Sequence, residues 1–510
     1  MNRGVEQSIS LWMATATASP RPALQSDTQA DVCIVGAGMA GLSTAYLLAK
    51  EGRSVVVLDD GPLASGQSQR TTAHLSNALD DRYVEVERTH GQEGARLAAE
   101  SHTAAIARIE TNVNLEGIDC DFCRLDGYLF VPPGESTDIL HQERDAAHRA
   151  GLVDVELVPR APLASFDTGP ALRFPRQGQF HPLKYYEGLG RAIEKLGGRI
   201  YAGTHVSKIE GGKTAKISTE KGPTVTAQAV VVATNTPVND MLAIHTKQAP
   251  YATYAIGVSI PAGSVTPGLY WDTLEAYHYL RLQPGVDGRD VLIVGGEDHK
   301  SGQASDQEER WQRLEAWTRQ RFPMLISVDH RWSGMVMETT DGLAFIGRNP
   351  GDAKNVYIAT GDSGMGMTHG TIAGMVICDL IQGRTNRWSD IYDPSRKPVW
   401  GMAWKEFVSE NANVAMQYVK DWLGSGDVSS PREIASGTGA IVREGLAKVA
   451  IFRDENGDYH RCSAVCPHLG CIVHWNGGEK TWDCPCHGSR FDPQGNVING
   501  PANTPLAEQP

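Results

Sequence analysis

The sequence lacks any run of about 18 consecutive apolar residues, the minimum for a transmembrane helix. It also lacks a Lys/Arg-rich run, and its 47 basic and 60 acidic residues give a net charge of −13. Such a chain is a poor binder of nucleic acids and of anionic membranes. Its 54 glycines show no G-X-Y period, which excludes a collagen-like fibre. What remains is a globular chain of 510 residues, long enough for about three domains.

The N-terminal region lacks the features of an export signal. Its short apolar stretch, residues 9–18, is interrupted by Ser and Thr, and only Arg3 supplies positive charge before it. A signal peptide needs a positive start and a cleaner apolar segment, and a folded-protein export signal needs paired arginines. We therefore expect a cytoplasmic protein in which residues 1–29 form an ordered or partly ordered leader.

Cysteine is scarce and unevenly placed. Of the nine cysteines, five lie between Cys462 and Cys486. A cluster of this kind in a large chain indicates a metal site rather than a disulfide framework. The pair Cys120 and Cys123 has CxxC spacing but does not open a helix after a strand, so we interpret it as two core thiols.

A βαβ unit is predicted over residues 31–59. The apolar run at 32–35 predicts a buried strand, residues 42–50 predict a helix, and residues 54–59 predict a second strand. Run lengths of this kind are typical of parallel strands.

A G-x-G-x-x-G motif joins the first strand to the helix, at Gly36, Gly38 and Gly41. The first glycine permits a tight turn, the second lets a pyrophosphate approach the backbone, and the third lets helix and strand pack closely. The helix N-terminus offers N–H donors to phosphate, and Asp59, at the end of the second strand, can accept from a ribose hydroxyl. The motif predicts a dinucleotide site, and its single copy gives no support for a second, NAD(P)-binding domain.

Further α/β signals are spread along the chain. They are the predicted helices at 185–196 and 371–381 and the predicted strands at 225–233 and 356–360. The stretches 85–175 and 245–335 differ in texture, and the second carries alternating β patterns. We therefore predict a nucleotide-binding domain interrupted twice by pieces of a substrate domain.

The C-terminal part changes character again. Residues 403–423 predict one amphipathic helix, and residues 424–431 are a Gly/Ser/Pro linker. Residues 432–510 are short β runs separated by Gly, Asn and Asp turns, which predicts a small all-β domain.

Three further segments, VVVATN at 230–235, TDGLAFIG at 340–347 and ATGDSGMGM at 359–367, carry a family resemblance. Together with the βαβ unit they resemble the DAO-type FAD-dependent oxidoreductases, the family of D-amino-acid and glycine oxidases, over about residues 31–381. The resemblance implies FAD, with the third segment supplying backbone amides and a helix N-terminus to the flavin pyrimidine.

The motif and the resemblance together imply a set of FAD-binding residues. The resemblance places adenine near Val206 and phosphate or ribityl contacts along residues 66–73. The full set is Gly36, Ala37, Gly38, Met39, Ala40, Gly41, Asp59, Asp60, Gly66, Arg70, Thr71, Thr72, Ala73, Val206, Gly361, Gly364, Met365, Gly366 and Met367.

The C-terminal cysteines belong to a Cys-x-His…Cys-x-x-His pattern formed by Cys466, His468, Cys484 and His487. Two thiolates and two imidazoles suit a [2Fe–2S] cluster, and tetrahedral zinc is the alternative. Over about residues 432–508 the pattern closely resembles Rieske proteins, which implies the cluster with these four residues as its ligands.

The Rieske resemblance implies further features. Cys471 and Cys486 match a pair that forms a disulfide between the two ligand loops, and Ser489 matches a hydroxyl that donates to a cluster sulfur. Phe491 stands where the family commonly has Tyr, so we expect a lower potential than in the cytochrome bc-type proteins. Cys462 lies outside the pattern and is interpreted as a core thiol.

Four residues are candidates for chemistry at the flavin. Arg281 could clamp a substrate carboxylate bidentately or be a solvated arginine on a strand face. His278 is a further substrate-contact candidate, and His369 could offer an imidazolium to the negative charge of reduced flavin. We expect noncovalent FAD, with attachment through His74, as in some amine-oxidising relatives, as the alternative.

The predicted fold class is α/β, a Rossmann-like FAD domain interleaved with an α+β substrate domain, plus a C-terminal all-β Rieske domain. The expected divisions are a leader at 1–29, an oxidoreductase domain at 30–400, a linker helix at 401–430 and the Rieske domain at 431–510. Within the oxidoreductase domain, the FAD parts are about 30–84, 176–244 and 336–400, and the substrate parts are about 85–175 and 245–335.

The predicted function is oxidation of an amine or amino-acid-like small molecule at the flavin. Electrons would pass singly through the cluster to a one-electron carrier such as a ferredoxin or a cytochrome. Two alternatives remain open: a cluster that feeds electrons into the flavin for a reductive or oxygen-activating reaction, and a redox sensor that uses the cysteine pair as its switch.

Overall fold

The structure is a computed structural model that describes residues 8–239, 244–274, 276–397, 413, 416, 420–422 and 424–509. The helix predicted over 403–423 lies outside the described residues apart from a few positions. The described α-helices are α1 (Leu11–Thr15), α2 (Met39–Lys50), α3 (Arg82–Glu116), α4 (Asp138–Arg149), α5 (Pro182–Lys195), α6 (Gln307–Arg321), α7 (Gly366–Ile381) and α8 (Ser389–Tyr392).

The described strands, in chain order, are β1 (Thr28–Val35), β2 (Val55–Leu58), β3 (His74–Leu75), β4 (Cys123–Phe130), β5 (Glu156–Val158), β6 (Ala171–Gln179), β7 (Arg199–Tyr201), β8 (Val206–Glu210), β9 (Ala215–Thr219), β10 (Thr224–Val232), β11 (Gln248–Pro261), β12 (Leu269–Asp272), β13 (His278–Pro284), β14 (Arg289–Lys300), β15 (Ser327–Thr339), β16 (Phe345–Arg348), β17 (Val356–Thr360), β18 (Thr438–Glu444), β19 (Ala447–Arg453), β20 (Tyr459–Ser463), β21 (His474–Asn476), β22 (Thr481–Asp483), β23 (Arg490–Phe491) and β24 (Val497–Asn499).

The first sheet contains the predicted βαβ unit. Its path is β16-β17-β10-β1-β2-β7, with β9 paired to β10 and β8 to β9. Strands β17, β10, β1, β2 and β7 run parallel to one another, and β16 pairs antiparallel with β17. The second half of β1 and all of β2 are buried aliphatic runs, as expected for parallel strands covered on both faces. The βαβ prediction is confirmed, with α2 as the connecting helix.

Helices α2 and α7 pack closely because two glycines of α7 face α2. A Cβ atom on Gly370 would meet Met39 Cγ at 2.8 Å, and one on Gly374 would meet Ser43 Cβ at 2.8 Å. The absence of these side chains lets both helices begin at the same edge of the first sheet.

The second sheet gathers strands from both intervening stretches of the chain. Its path is β15-β11-β14-β13-β12-β4-β6-β3, and β5 pairs with β6. Strand β11, which lies next to the edge strand β15 and is 14 residues long, pairs antiparallel with β14 and β15. The second sheet thus combines strands that precede β10 in the chain with strands that follow it. The interleaved fold class is confirmed.

Helix α3 has no counterpart in the sequence prediction. It spans Arg82–Glu116 and contains a non-helical residue, Gly91, with φ +72° and ψ 172°. This glycine breaks the 3.6-residue apolar period near the helix start, which explains why the pattern is hard to recognise.

Both ends of the described part of the chain contain regular structure. Strands β18–β20 form one antiparallel sheet and β21–β24 another, so the all-β prediction for the C-terminal part is confirmed. The leader contributes α1, in which Trp12 is fully buried and its Nε1 donates to the Thr71 carbonyl at 2.6 Å.

Candidate functional site

A cavity of about 380 Å³ opens at the carboxyl ends of the parallel strands. Val35, Leu58, Ala233 and Thr360, which end or follow β1, β2, β10 and β17, all line it. Open α/β sheets bind ligands at this edge. The cavity therefore lies where the dinucleotide motif predicts a ligand.

The glycine loop is fixed by its own close contacts. Gly36 has φ +105°, and a Cβ atom on it would overlap the Ala233 carbonyl oxygen. A Cβ atom on Gly41 would overlap the Gly36 carbonyl oxygen. Asp59 Oδ2 accepts from the Ala37 N–H at 2.6 Å, so this carboxylate braces the loop from β2.

Most of the predicted FAD-binding residues line this cavity. Burial and the neighbouring Asp60 carboxylate raise the pKa of Asp59 to about 7. The predicted residues that line the cavity are Gly36, Gly38, Met39, Ala40, Asp59, Asp60, Gly66, Arg70, Thr71, Thr72, Val206, Gly361, Gly364, Met365, Gly366 and Met367. Ala37, Gly41 and Ala73 lie behind them and hold the loops in place.

The N-terminus of α7 forms another wall of the cavity. Gly361 and Gly364 have φ angles of +72° and +70°, a conformation that glycine adopts without strain. Asp362 Oδ1 accepts from the Met337 N–H at 3.0 Å, which ties this turn to β15. Burial raises the pKa of Asp362 to about 6. The turn directs the first N–H groups of α7 toward the cavity, as a flavin pyrimidine requires.

Arg281 lies apart from the cavity. Its side chain is fully buried and its guanidinium donates to the Ala73 carbonyl at 2.9 Å and to the Phe180 carbonyl at 3.2 Å. The guanidinium also lies 5.1 Å from the centre of the Trp12 ring. Arg281 is thus not solvated, and its geometry favours support of the loop at Ala73 over clamping of a substrate carboxylate.

His278 also lies outside the cavity lining. Its Nδ1 lies 3.1 Å from Asp272 Oδ2, and its ring stacks on Trp317 with 4.3 Å between centroids. This geometry favours a structural role for His278.

His369 lines the cavity, as predicted. Its Nδ1 lies 2.9 Å from the Asp362 carbonyl oxygen and its Nε2 lies 3.2 Å from His102 Nε2. Burial lowers the pKa of His369 to about 4, so the ring is neutral near pH 7. An imidazolium at this position opposite reduced flavin stays a prediction.

His74 lines the cavity through a neutral ring as well. Its Nδ1 lies 3.1 Å from Thr72 Oγ1, and burial lowers its pKa to about 3. The two CxxC thiols differ from one another: Cys120 is buried, as predicted, whereas Cys123 is exposed, so the interpretation as two core thiols is wrong for Cys123.

One wall of the cavity combines aromatic rings with carboxylates. Trp271, Tyr277, Tyr279 and Asp80 line it, and the Tyr277 hydroxyl donates to Asp298 Oδ2 at 3.1 Å. Burial, together with nearby carboxylates, raises the pKa of Asp80 to about 7, and burial raises the pKa of Asp298 to about 6. Ring faces beside carboxylates attract organic cations.

The four predicted cluster ligands come together in the C-terminal domain. The Cys466 and Cys484 thiols hydrogen-bond to each other, which lowers the pKa of Cys466 to about 7 and raises that of Cys484 well above its usual value. The His468 and His487 rings lie 5.0 Å apart. Burial lowers the pKa of His487 to about 3, so it is in the neutral form that binds metal.

The predicted disulfide is present. Cys471 and Cys486 are bonded, with 6.5 Å between their Cα atoms. Their sulfurs lie within 4.8 Å of the Cys484 sulfur, but a disulfide offers no thiolate, so of the three only Cys484 has a thiolate to offer a metal. The bond ties the two ligand loops together.

The residues around the predicted ligands are buried. The Ser489 hydroxyl hydrogen-bonds to the Cys466 thiol. Phe491 is fully buried, and Cys462 is a buried thiol whose pKa burial raises to about 12. Cys462 is therefore a core thiol, as predicted.

The two predicted histidine ligands face the oxidoreductase domain. The His245 ring, which is buried, lies 4.8 Å from the His468 ring and 5.5 Å from the His487 ring. A Cβ atom on Gly488 would meet Pro250 Cβ at 2.8 Å. The ligand tip of the small domain is thus packed against the larger one.

A buried ion pair joins the same two parts. Arg70 Nη1 lies 3.5 Å from Glu479 Oε1, and each side chain is 1% exposed. Glu479 also accepts from the Ser333 N–H at 3.2 Å and from the Ser8 N–H at 3.1 Å. Because Arg70 lines the cavity, this contact connects the small domain to the FAD site.

Sequence reasoning missed His245, Glu479 and the segment 497–503, all of which lie where the two parts meet. Each occurs as a single polar residue or a turn sequence without motif spacing. The one available signal was the opposite charge of Arg70 and Glu479. Two residues so far apart in the sequence cannot be paired without the fold.

The geometry agrees with comparisons to known proteins. The family profile described as FAD dependent oxidoreductase matches residues 31–380, and the Rieske [2Fe-2S] domain profile matches residues 426–510. The putative Rieske 2Fe-2S iron-sulfur protein YhfW of Bacillus subtilis (strain 168) is 31% identical over 498 residues, covering 98% of this chain and 96% of that protein.

Other relatives match the oxidoreductase part. Gamma-glutamylputrescine oxidoreductase of Escherichia coli (strain K12) is 28% identical, over 75% of this chain and 91% of that protein. The crystal structure of glycine oxidase from Geobacillus kaustophilus has the same fold, with a TM-score of 0.58 and 19% identity, over 72% of this chain and 99% of that one. Across the part of the chain that the structure describes, we find no helix of the length and apolarity that a membrane crossing needs.

Proposed function

Since the chain belongs to the family of FAD-dependent oxidoreductases and carries a Rieske domain, its cofactors are FAD and a [2Fe–2S] cluster. We propose that it oxidises an amine or amino-acid-like molecule and passes the electrons one at a time to an external carrier such as a ferredoxin or a cytochrome.

The two cofactors together account for both electrons of the proposed oxidation. The chemistry that FAD supplies is acceptance of a hydride, which consists of two electrons and one proton, from the carbon next to nitrogen. The chemistry that the cluster supplies is transfer of one electron at a time. The substrate becomes an imine after losing a second proton from nitrogen. Two equivalents of the external carrier take up the two electrons, so each turnover needs two single-electron steps.

The observation that carries this proposal is the packing of His245 against both histidine ligands. In the Rieske proteins these histidines bind the iron that the thiolates do not. Their burial against the oxidoreductase domain favours transfer between the two cofactors within one chain. Electron transfer to a distant site would instead favour an exposed histidine tip.

The lining of the cavity bears on the substrate. Arg281 donates to backbone carbonyls and does not reach the cavity, whereas Asp80, Tyr277 and Tyr279 line it. A cationic amine matches carboxylates and ring faces, and a free carboxylate does not. Within the proposed class, the lining therefore supports an amine more strongly than an α-amino acid.

The neutral histidines can hold the reacting groups without adding charge. His369 receives a fixed orientation from the Asp362 carbonyl, and its depressed pKa keeps a positive charge from competing with an ammonium group. Asp80, with its raised pKa, is placed to take the proton that an ammonium must lose before oxidation.

An anaerobic screen tests the proposal. Purified protein is mixed with a panel of amines and amino acids while flavin and cluster absorbance are recorded together. We expect amines to bleach the flavin, followed by the cluster. Bleaching only by reduced ferredoxin would support the reverse direction of electron flow, and no bleaching by any small molecule would support a sensor; either result would contradict the proposal.

A further inference from the structure

The C-terminal segment of the small domain reaches the FAD cavity. Residues Val497, Ile498, Asn499, Gly500, Ala502 and Asn503 line the same cavity as the glycine loop of residues 36–41. We propose that residues 497–503 of the Rieske domain complete the FAD site, so that FAD is held by both domains at once.

Asn503 anchors one end of this segment to the cavity wall at the start of β8. Its Nδ2 donates to the Val206 carbonyl at 3.0 Å and to the Ser207 carbonyl at 3.1 Å. His205 Nε2 lies 3.2 Å from the Asn503 carbonyl oxygen. Val206, His205 and Asn503 all line the cavity, so these bonds hold the segment on the wall and not on outer surface.

Asn499 and Gly500 anchor the other end. Asn499 Nδ2 donates to its neighbour's carbonyl, that of Gly500, at 3.1 Å and to the Gly488 carbonyl at 3.4 Å. A Cβ atom on Gly500 would meet Val238 Cγ1 at 3.3 Å. That distance is tighter than most real Cβ contacts, so a glycine here lets the backbone of the segment lie close to Val238.

The same segment is bonded to the cluster loop. The Ala502 N–H donates to Ser489 Oγ at 2.9 Å, and Ser489 follows the second ligand loop. Adjacent residues therefore contact the surroundings of the cluster, through Ala502, and the wall of the FAD cavity, through Asn503.

This arrangement makes domain docking and FAD binding thermodynamically linked. FAD that contacts both domains favours the docked state, and by reciprocity the docked domain favours bound FAD. The Rieske domain is then a fixed part of the flavin site, and undocking it opens the cavity wall.

Titration of apoprotein with FAD tests the proposal. Full-length protein from riboflavin-starved cells is titrated for the parent, for Asn503→Ala and for a control, Asn496→Ala. Asn496 is a matched control because its Nδ2 donates to Asp492 Oδ2 at 2.8 Å within the same domain and it does not line the cavity. We expect Asn503→Ala to weaken FAD binding roughly tenfold and Asn496→Ala to leave it unchanged. Equal affinities for all three proteins would overturn the proposal.

Hydrogen exchange of the unmodified chain gives a test that does not depend on a variant's folding. FAD binding should slow amide exchange in residues 497–503 at least severalfold while leaving strand β19 of the same domain unchanged. Exchange in residues 497–503 that is the same with and without FAD would overturn the proposal, whatever the variants show.

Discussion

The two cofactor sites of this chain are assembled in opposite ways. All four predicted cluster ligands lie on two loops, within residues 466–487, and one disulfide joins those loops. The FAD cavity instead collects segments from Val35 to Asn503, which come from both domains. A site confined to one short segment fails when one ligand is lost. A distributed site loses affinity in increments, because each segment contributes only part of the binding.

The largest effect is expected from breaking the local site. Cys466→Ser removes one of two thiolate ligands, so electron transfer from substrate to a one-electron dye should fall by at least about 100-fold. Anaerobic bleaching of the flavin by substrate should persist, because the FAD cavity does not include Cys466. Stopped-flow absorbance measures both.

Cys462→Ser is the matched control for that change. Cys462 is a buried thiol of the same domain that lies outside the ligand set. Dye reduction should stay close to that of the parent. Turnover with the dye at the parent rate in Cys466→Ser would place the cluster outside the electron path.

The next largest effect is expected at the junction of the two domains. Glu479→Ala removes the carboxylate opposite the buried Arg70 guanidinium and should destabilise the docked small domain by about 3–5 kcal/mol. Denaturant unfolding followed through cluster absorbance measures this loss. Glu444→Ala is the control, because its pair with Arg461 is partly exposed and should contribute at most about 1 kcal/mol. Equal effects of the two substitutions would refute a structural role for the buried pair.

The contrast between the sites also explains what the sequence could predict. The spacing of Cys466, His468, Cys484 and His487 predicts a ligand set before any fold is known. The spacing of the glycine motif predicts the dinucleotide site in the same way. The role of Arg281 could not be predicted, because a buried arginine that supports a loop and an arginine that binds substrate look alike in the sequence of a strand. Contacts across the junction, such as His245 against His468, depend on packing of segments more than 200 residues apart and carry no local signal.

A smaller effect is expected from pH on the distributed site. Since the pKa of Asp80 is raised to about 7 and that of Asp298 to about 6, both carboxyls become neutral as the pH falls through this range. Binding of a permanently charged quaternary ammonium ligand should therefore weaken roughly tenfold from about pH 8 to about pH 5. Calorimetric titration measures it, and Asp80→Asn should flatten the profile. A pH-independent affinity in the parent would count against cation binding by this wall.

The smallest effect is expected from tuning the local site. Phe491→Tyr introduces a hydroxyl at a buried position beside the ligand loops, where it can donate to the cluster and stabilise its reduced form. The reduction potential of the cluster should rise, while FAD affinity stays constant. Electrochemical titration of the cluster signal checks this, with Ser489→Ala expected to shift the potential in the opposite direction. A potential that falls or stays constant in Phe491→Tyr would contradict the prediction that a hydroxyl at this position donates to the cluster.

The central claim, that electrons from substrate cross from flavin to cluster within this chain, has one direct test. Protein is mixed anaerobically with an amine that bleaches the flavin, without any external acceptor, and is frozen at successive times for electron paramagnetic resonance. We predict that the signal of the reduced [2Fe–2S] cluster grows after flavin bleaching, faster than the enzyme turns over and with a rate independent of protein concentration. A fully bleached flavin beside a cluster that stays oxidised would contradict the claim.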